Sequence, residues 1–163
     1  MPDSNLIPFK VKRSFNLYNK TFEEGKEFQL QFLEVEVLIN EGLVDIVPLN
    51  AVYYRKMFKE EKESEKVLEL DQYFFDYVRI SQKYLKDRSN ISDSDKKIYN
   101  DSASALRNFL IIRAEKILRG LLIENQKIEV HEEELTFISI MGEYISKWIK
   151  FRESLIKGEK YEA

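Results

Sequence analysis

Between Ile7 and Tyr18 the chain alternates, with Phe9, Val11, Phe15 and Leu17 interleaved by Lys10, Lys12, Ser14 and Asn16, and only Arg13 breaks the phase. A period of two predicts one or two half-buried strands. Gly25 marks a turn. From Gln29 to Glu41, Leu30, Leu33, Val37 and Leu38 take the spacing of a short helix face. Gly42 stands where a helix favours a left-handed terminal residue. Leu43-Val44-Asp45-Ile46-Val47 then predicts a strand, which Pro48 closes.

Beyond Pro48 the pattern is almost wholly helical, which places a domain boundary there. Residues 1–49 are expected to form a small α+β domain and residues 50–163 a helical bundle domain, making a mainly α protein. Ala51 to Lys66 predicts a charged connecting helix, apolar at Val52, Tyr53, Met57 and Phe58 and polar from Lys59 onward. Asp71 is a candidate cap for a helix reaching about Lys86, with Phe74, Tyr77, Val78 and Leu85 inward. The polar stretch from Asp87 to Asp95 predicts a loop. A long helix is expected from about Ser94 to Glu124, carrying Leu106, Phe109, Leu110, Ile117 and Leu121 with Arg113 inside the stripe. A break at Asn125-Gln126 separates it from a last helix, Glu132 to Lys157. No repeat of fixed period appears.

The last helix carries two apolar stripes, each advancing by alternate steps of three and four. One is Leu135, Ile138, Gly142, Ile145, Ile149, Arg152 and Ile156; its neighbour is Phe137, Met141, Tyr144, Trp148, Phe151 and Leu155. The polar face is left to Ser139, Glu143, Ser146, Lys150, Glu153 and Lys157. A helix packed on one side needs an apolar arc of about 100°, so something further must cover the second stripe. Another helix of the same chain would do so, and so would a partner subunit, whose interfaces aromatic residues and Met anchor.

Composition narrows the chemistry. The 163 residues are 44% hydrophobic and 13% aromatic, enough to bury a core. Lys and Arg total 26 against 29 Asp and Glu, a net charge of −3. Duplex DNA held by its phosphates calls for a basic excess, so direct DNA binding is expected to be weak or absent. There is no cysteine, which excludes disulfides and thiolate chemistry. Met1-Pro2-Asp3 opens without the pattern of a secretory signal. The apolar runs Phe109-Leu110-Ile111-Ile112 and Leu121-Leu122-Ile123 fall far short of the ~20 residues a spanning helix needs. A soluble cytoplasmic protein, without membrane or cofactor, is expected.

Catalytic constellations are missing from the pattern. The single histidine, His131, opens the last helix in His131-Glu132-Glu133-Glu134, without the second histidine of a zinc-protease helix. No Gly-x-Ser-x-Gly turn presents a nucleophile, and Gly25, Gly42, Gly120, Gly142 and Gly158 are too scattered for a phosphate-binding loop. The expectation is a protein without catalytic, cofactor or metal residues. Lys10, Lys12, Arg13 and Lys20, set among Phe9, Phe15 and Tyr18, are the candidate nucleic-acid contacts. The simpler reading is a strand with a solvated basic face. Arg113 and Lys116, within or beside an apolar stripe, are expected to be held by carboxylates or carbonyls of packed helices.

Three stretches together resemble a known family. They are the small domain over Gly25 to Pro48, with a helix at Phe32 to Ile39 followed by Gly42-Leu43-Val44-Asp45-Ile46, the connector Met57-Phe58-Lys59-Glu60-Glu61-Lys62-Glu63 leading to Asp71-Gln72-Tyr73-Phe74-Phe75, and the helix Leu106-Arg107-Asn108-Phe109-Leu110-Ile111-Ile112-Arg113-Ala114-Glu115-Lys116-Ile117-Leu118-Arg119. Their order resembles the β-domain-first class of GINS subunits of DNA replication, over nearly the whole chain. Glu133-Glu134-Leu135-Thr136, opening the last helix, fits the same pattern. Where the family often has a proline and a tryptophan at the start of the small domain's helix, this chain has Gln31-Phe32-Leu33.

The resemblance implies a non-catalytic scaffold at the replication fork, of archaeal type. Two copies would join two copies of a second subunit with the opposite domain order, forming a heterotetramer. Its partners would be the MCM helicase and a RecJ-like protein, with primase or polymerase for some members. Phe137, Met141, Tyr144, Trp148, Phe151 and Leu155 would then be subunit-interface anchors. The alternative is a small nucleic-acid-binding module that uses Lys10, Lys12, Arg13 and Lys20.

Overall fold

Ile7, Phe9 and Val11 point to one side of the first strand, β1 (Leu6–Val11), and the N-terminal core is assembled against that side. The computed structural model describes residues 6–123 and 128–161. Met1-Pro2-Asp3 and the expected break at Asn125-Gln126 lie outside these residues. The remaining strands are β2 (Phe15–Leu17), β3 (Lys20–Phe22), β4 (Glu27–Gln31) and β5 (Val44–Ile46). The helices are α1 (Phe32–Asn40), α2 (Ala51–Glu63), α3 (Phe74–Arg88), α4 (Asp93–Leu122) and α5 (Glu132–Lys157). The chain is thus mainly helical, with a small α+β region ahead of the helices.

β1 is the middle strand of an antiparallel sheet in the order β4-β1-β5, with Phe9 opposite both Phe28 and Ile46. β2 and β3 form a separate hairpin. Its turn residues, Tyr18 and Asn19, have φ of 52° and 56°. Positive φ at both positions lets a two-residue turn follow the right-handed twist of its strands. Phe15 and Phe22 stack with centroids 4.9 Å apart, and Phe22 meets Phe28 edge to face at 4.8 Å. These rings join Ile7, Phe9, Val11, Phe32, Val35, Leu38, Val44 and Ile46 in one core.

The structure departs from four expectations. The helix expected from Gln29 begins at Phe32, because Phe28 and Leu30 alternate with Glu27, Gln29 and Gln31 and pair along β1 as a half-buried strand. The inner face of α1 is Phe32, Val35 and Leu38, while Leu33 and Val37 are 54% and 59% exposed. The connecting helix stops at Glu63, three residues before Lys66. The cap position of α3 is Tyr73, and Asp71 accepts a hydrogen bond from the Tyr73 N–H at 2.9 Å. At the end of α1, Gly42 adopts φ 70°, as its position predicts. There Gly42 N donates to Ile39 O and Leu43 N to Leu38 O, which satisfies carbonyls the helix leaves open.

Two compact units divide the chain: Met1–Lys56 with Asp71–Arg107, and Met57–Leu70 with Asn108–Ala163. Among the described residues all strands precede Pro48, and the first unit also includes α3. Within that unit Tyr77 donates to Val47 O at 2.7 Å, and Leu49 N donates to the buried Ser81 hydroxyl at 2.9 Å. Tyr73, Tyr77, Ile80 and Tyr84 line the side of the core that α3 covers. Among the described residues, the only buried apolar side chains of the second unit are Phe109 and Ile117. Beside them lie two buried charges, Glu61 and Arg113.

Candidate interaction surface

α5 starts at a well-capped terminus. His131 Nδ1 accepts from Glu133 N at 3.1 Å, and Glu134 Oε2 accepts from His131 N at 3.0 Å. Glu132, Glu133 and Glu134 place negative charge at the positive end of the helix dipole. Gly158, at φ 71°, closes the other end, where Glu159 N donates to Ser154 O at 2.8 Å. So anchored, α5 still contains no buried residue along its whole length.

The two stripes differ in exposure. Ile138, Gly142, Ile145, Ile149 and Arg152 are half-buried, with Leu135 and Ile156 exposed at the stripe's two ends. In the second stripe Phe137 is 66% exposed, Tyr144 69%, Trp148 56% and Leu155 60%, while Met141 and Phe151 are half-buried. Ile140 adds a further exposed side chain beside them. At about 100° of rotation per residue, the second stripe sits roughly a quarter turn from the first. The rings of Trp148 and Phe151 lie 5.5 Å apart, and Phe151 meets Tyr161 edge to face at 5.9 Å. The result is a continuous apolar strip with aromatic side chains at its centre.

A buried ion network holds the start of this helix. Arg113 donates from Nε and Nη2 to the two carboxylate oxygens of Glu134, at 2.6 and 2.8 Å. Its Nη1 donates to Glu61 Oε2 at 2.9 Å and to Leu68 O at 2.8 Å. Lys116 Nζ donates to Glu61 Oε1, Glu61 O and Lys66 O, at 2.9, 2.6 and 2.5 Å. Glu61 also receives Leu68 N. Two cations and two carboxylates cancel, and each carboxylate is bonded at both oxygens, so the groups satisfy the condition for burying charge without a large desolvation loss. They tie the end of α2, the segment after it, α4 and the first turn of α5 into one arrangement. Near its other end, Arg152 donates to Leu122 O at 3.1 Å.

Arg113 and Lys116 thus meet carboxylates and carbonyls; their partners Glu61 and Glu134 lie in stretches that carry the family likeness, but nothing in the sequence paired them with these cations. Glu61 sits in the run Glu60-Glu61-Lys62-Glu63, which reads as a solvated face. A signal was present: Glu61 follows the buried Ala51 and Tyr54 and the half-buried Phe58 in helical phase. His131, a candidate for nothing but a helix terminus, is the residue at the α5 cap.

The basic residues near the N-terminus do not gather into one positive face. Lys12 is 3.5 Å from Asp45, and Lys20 lies over the rings of Phe28 and Phe22 at 4.9 and 5.2 Å. Lys10 and Arg13 are exposed. The depression near Lys10 and Lys12 is also lined by Glu24, Glu27 and Asp45, so a phosphate chain would meet both signs of charge there. Among the described residues no group of three or more acidic or histidine side chains is placed to hold a metal ion, and no helix is long and apolar enough to cross a membrane.

Two tyrosines of the first unit are electrostatically distinctive. Burial pushes the Tyr54 and Tyr77 hydroxyls well above the ordinary tyrosine value, with neighbouring phenols adding to the effect. The Tyr54 hydroxyl is fully buried and has no hydrogen-bond partner among the described residues. Neither tyrosine belongs to the α5 strip.

Compared with models of known protein families and with curated proteins, the chain matches none.

Proposed function

We propose that the protein is a non-catalytic subunit of a GINS-like replication complex, assembled through the outer stripe of α5. The observation that carries the reading is the exposure of Phe137, Tyr144, Trp148 and Leu155 in a unit that buries so few apolar side chains of its own. Scattered exposed apolar residues are ordinary on any surface, but a contiguous strip of aromatic ones is a hallmark of an interaction site. Covering the strip with a partner's helix would supply the second unit with the core it lacks, as obligate interfaces do. The alternation of three and four residues suits helices that cross at a shallow angle. On the resemblance of the sequence, the partners we propose are a second subunit of opposite domain order, another copy of this chain within a heterotetramer, the MCM helicase and a RecJ-like protein, with primase or polymerase as further contacts.

The test is to mix the purified chain with the candidate second subunit and measure the mass of what forms. A heterotetramer is expected from the native chain, and free subunits from the variant carrying Trp148→Asp and Phe151→Asp. Assembly that survives both substitutions overturns the reading. Circular dichroism of the variant separates lost assembly from lost folding.

A further inference from the structure

The exposed side of α1 carries a second surface, lying wholly within the N-terminal unit. Leu33 and Val37 are one helical turn apart, so they form a single apolar ridge. At about 100° per residue, Glu36 and Asn40 fall along one margin of that ridge and Glu34 and Glu41 along the other. The helix contains no basic residue to balance them. Glu34 is already engaged, accepting from the Tyr18 hydroxyl at 2.6 Å and from Gln31 N at 3.0 Å. That bond steadies Tyr18, 72% exposed and held at positive φ in the β2–β3 turn, beside the Glu34 margin. Glu36 and Glu41 take part in no ion pair among the described residues.

Charge decides what such a ridge can accept. A purely apolar partner would leave the charge of Glu36 and Glu41 unmatched at the margins of the contact. Nucleic acid and anionic lipid would meet carboxylates of their own sign. The same face of a second copy would set acid against acid. What remains is a segment that places apolar side chains on Leu33, Val37 and Tyr18 and cations beside Glu36 and Glu41.

We propose that the outer face of α1, with Tyr18, is a docking site for a basic amphipathic helix of a partner protein. The contact is small, so the affinity is modest and salt-sensitive. Tyr18 widens the apolar strip on one side, and its bond to Glu34 leaves Glu36 and Glu41 to receive the partner's cations.

The experiment uses the full chain, isotopically labelled for amide NMR, and a synthetic helical peptide with leucines on one face flanked by lysines. Its control is the same peptide with glutamates in place of the lysines. The expected result is shifts concentrated at residues 33–41 and Tyr18 for the lysine peptide and none for the glutamate one. Leu33→Ser with Val37→Ser should weaken binding by about tenfold. Glu36→Gln with Glu41→Gln should weaken it by about threefold or more and flatten its salt dependence. Leu33, Val37 and Glu41 are exposed and Glu36 is half-buried, and matching thermal melts verify that the variants fold. Shifts centred on α5, equal binding of the two peptides, or unchanged affinity in both variants would each overturn the proposal. Concentration-dependent shifts at α1 without peptide would assign the ridge to a second copy and overturn it as well. Since α5 resonances are followed in the same spectra, failure here is distinguishable from failure of the assembly reading.

Discussion

Tyr54 and Tyr77 show how one hydroxyl group can act in opposite directions. Tyr77 donates to Val47 O, so Tyr77→Phe removes a bond and leaves a carbonyl with one partner fewer. A loss of about 1 kcal/mol in urea unfolding is expected. Tyr54 buries a hydroxyl without a partner among the described residues, so Tyr54→Phe should leave stability unchanged or raise it by about 1 kcal/mol. A marked loss from Tyr54→Phe would mean that its hydroxyl has a role the geometry does not reveal. Both phenols are held in the protonated form by burial, above the ordinary value of 10.0. The sign follows from linkage: their contribution is complete below pH 10 and disappears as the pH rises through their higher folded values. In an alkaline titration followed by tyrosinate absorbance, Tyr54 and Tyr77 should therefore ionise late, together with the loss of helical signal.

At the level of elements, the ion network positions α5 more than it stabilises the chain. A set of buried charges of balanced sign gives little net stability, but breaking it is costly because the remaining partner is left uncompensated. Arg113→Met leaves Glu134 without its two-bonded partner and Glu61 with Lys116 as its one remaining cation of this network. It should lower the unfolding free energy by about 3–5 kcal/mol, measured in denaturant. Arg113→Lys keeps the charge but cannot reproduce the planar fork that spans Glu134 and Glu61, so it should recover only a minor part of the loss. Full recovery by lysine would show that charge, and not geometry, is what the site needs. The helices themselves were largely legible from periodicity. α3, α4 and α5 appear within a few residues of their expected ends, because long amphipathic patterns with marked termini leave few alternatives. α1 was displaced and its buried face misassigned: in a nine-residue helix with apolar residues on both sides, as Phe32-Leu33-Glu34-Val35-Glu36-Val37-Leu38 has, periodicity does not choose between faces. The hairpin strand Lys20–Phe22 is too short to produce a period at all.

For the whole molecule, the two units differ in how far each supplies its own core. The first gathers a connected set of buried aromatic and β-branched side chains, whereas the second buries Phe109 and Ile117 around a polar network. Amide hydrogen exchange should report this difference in the isolated chain, with slow exchange in β1 and faster exchange along α5. On adding the proposed second subunit, protection of residues 137–155 should rise, and the melting temperature should increase with partner concentration. Exchange in α5 that is already as slow as in β1 without a partner would contradict the assembly reading.

Composition and periodicity by themselves determined that this is a mainly helical chain with a small strand-containing start, that its charges nearly cancel, and that its last helix has two apolar stripes. These are properties of local order and counting, which need no knowledge of what packs where. The tertiary structure decided which stripe is covered and which is open, which face of α1 turns inward, and that Arg113 and Lys116 are neutralised by Glu61 and Glu134. The physical reason is that burial and ion pairing are relations between distant segments. Glu61 lies far along the chain from Arg113, and no local pattern encodes the 2.9 Å between their side chains.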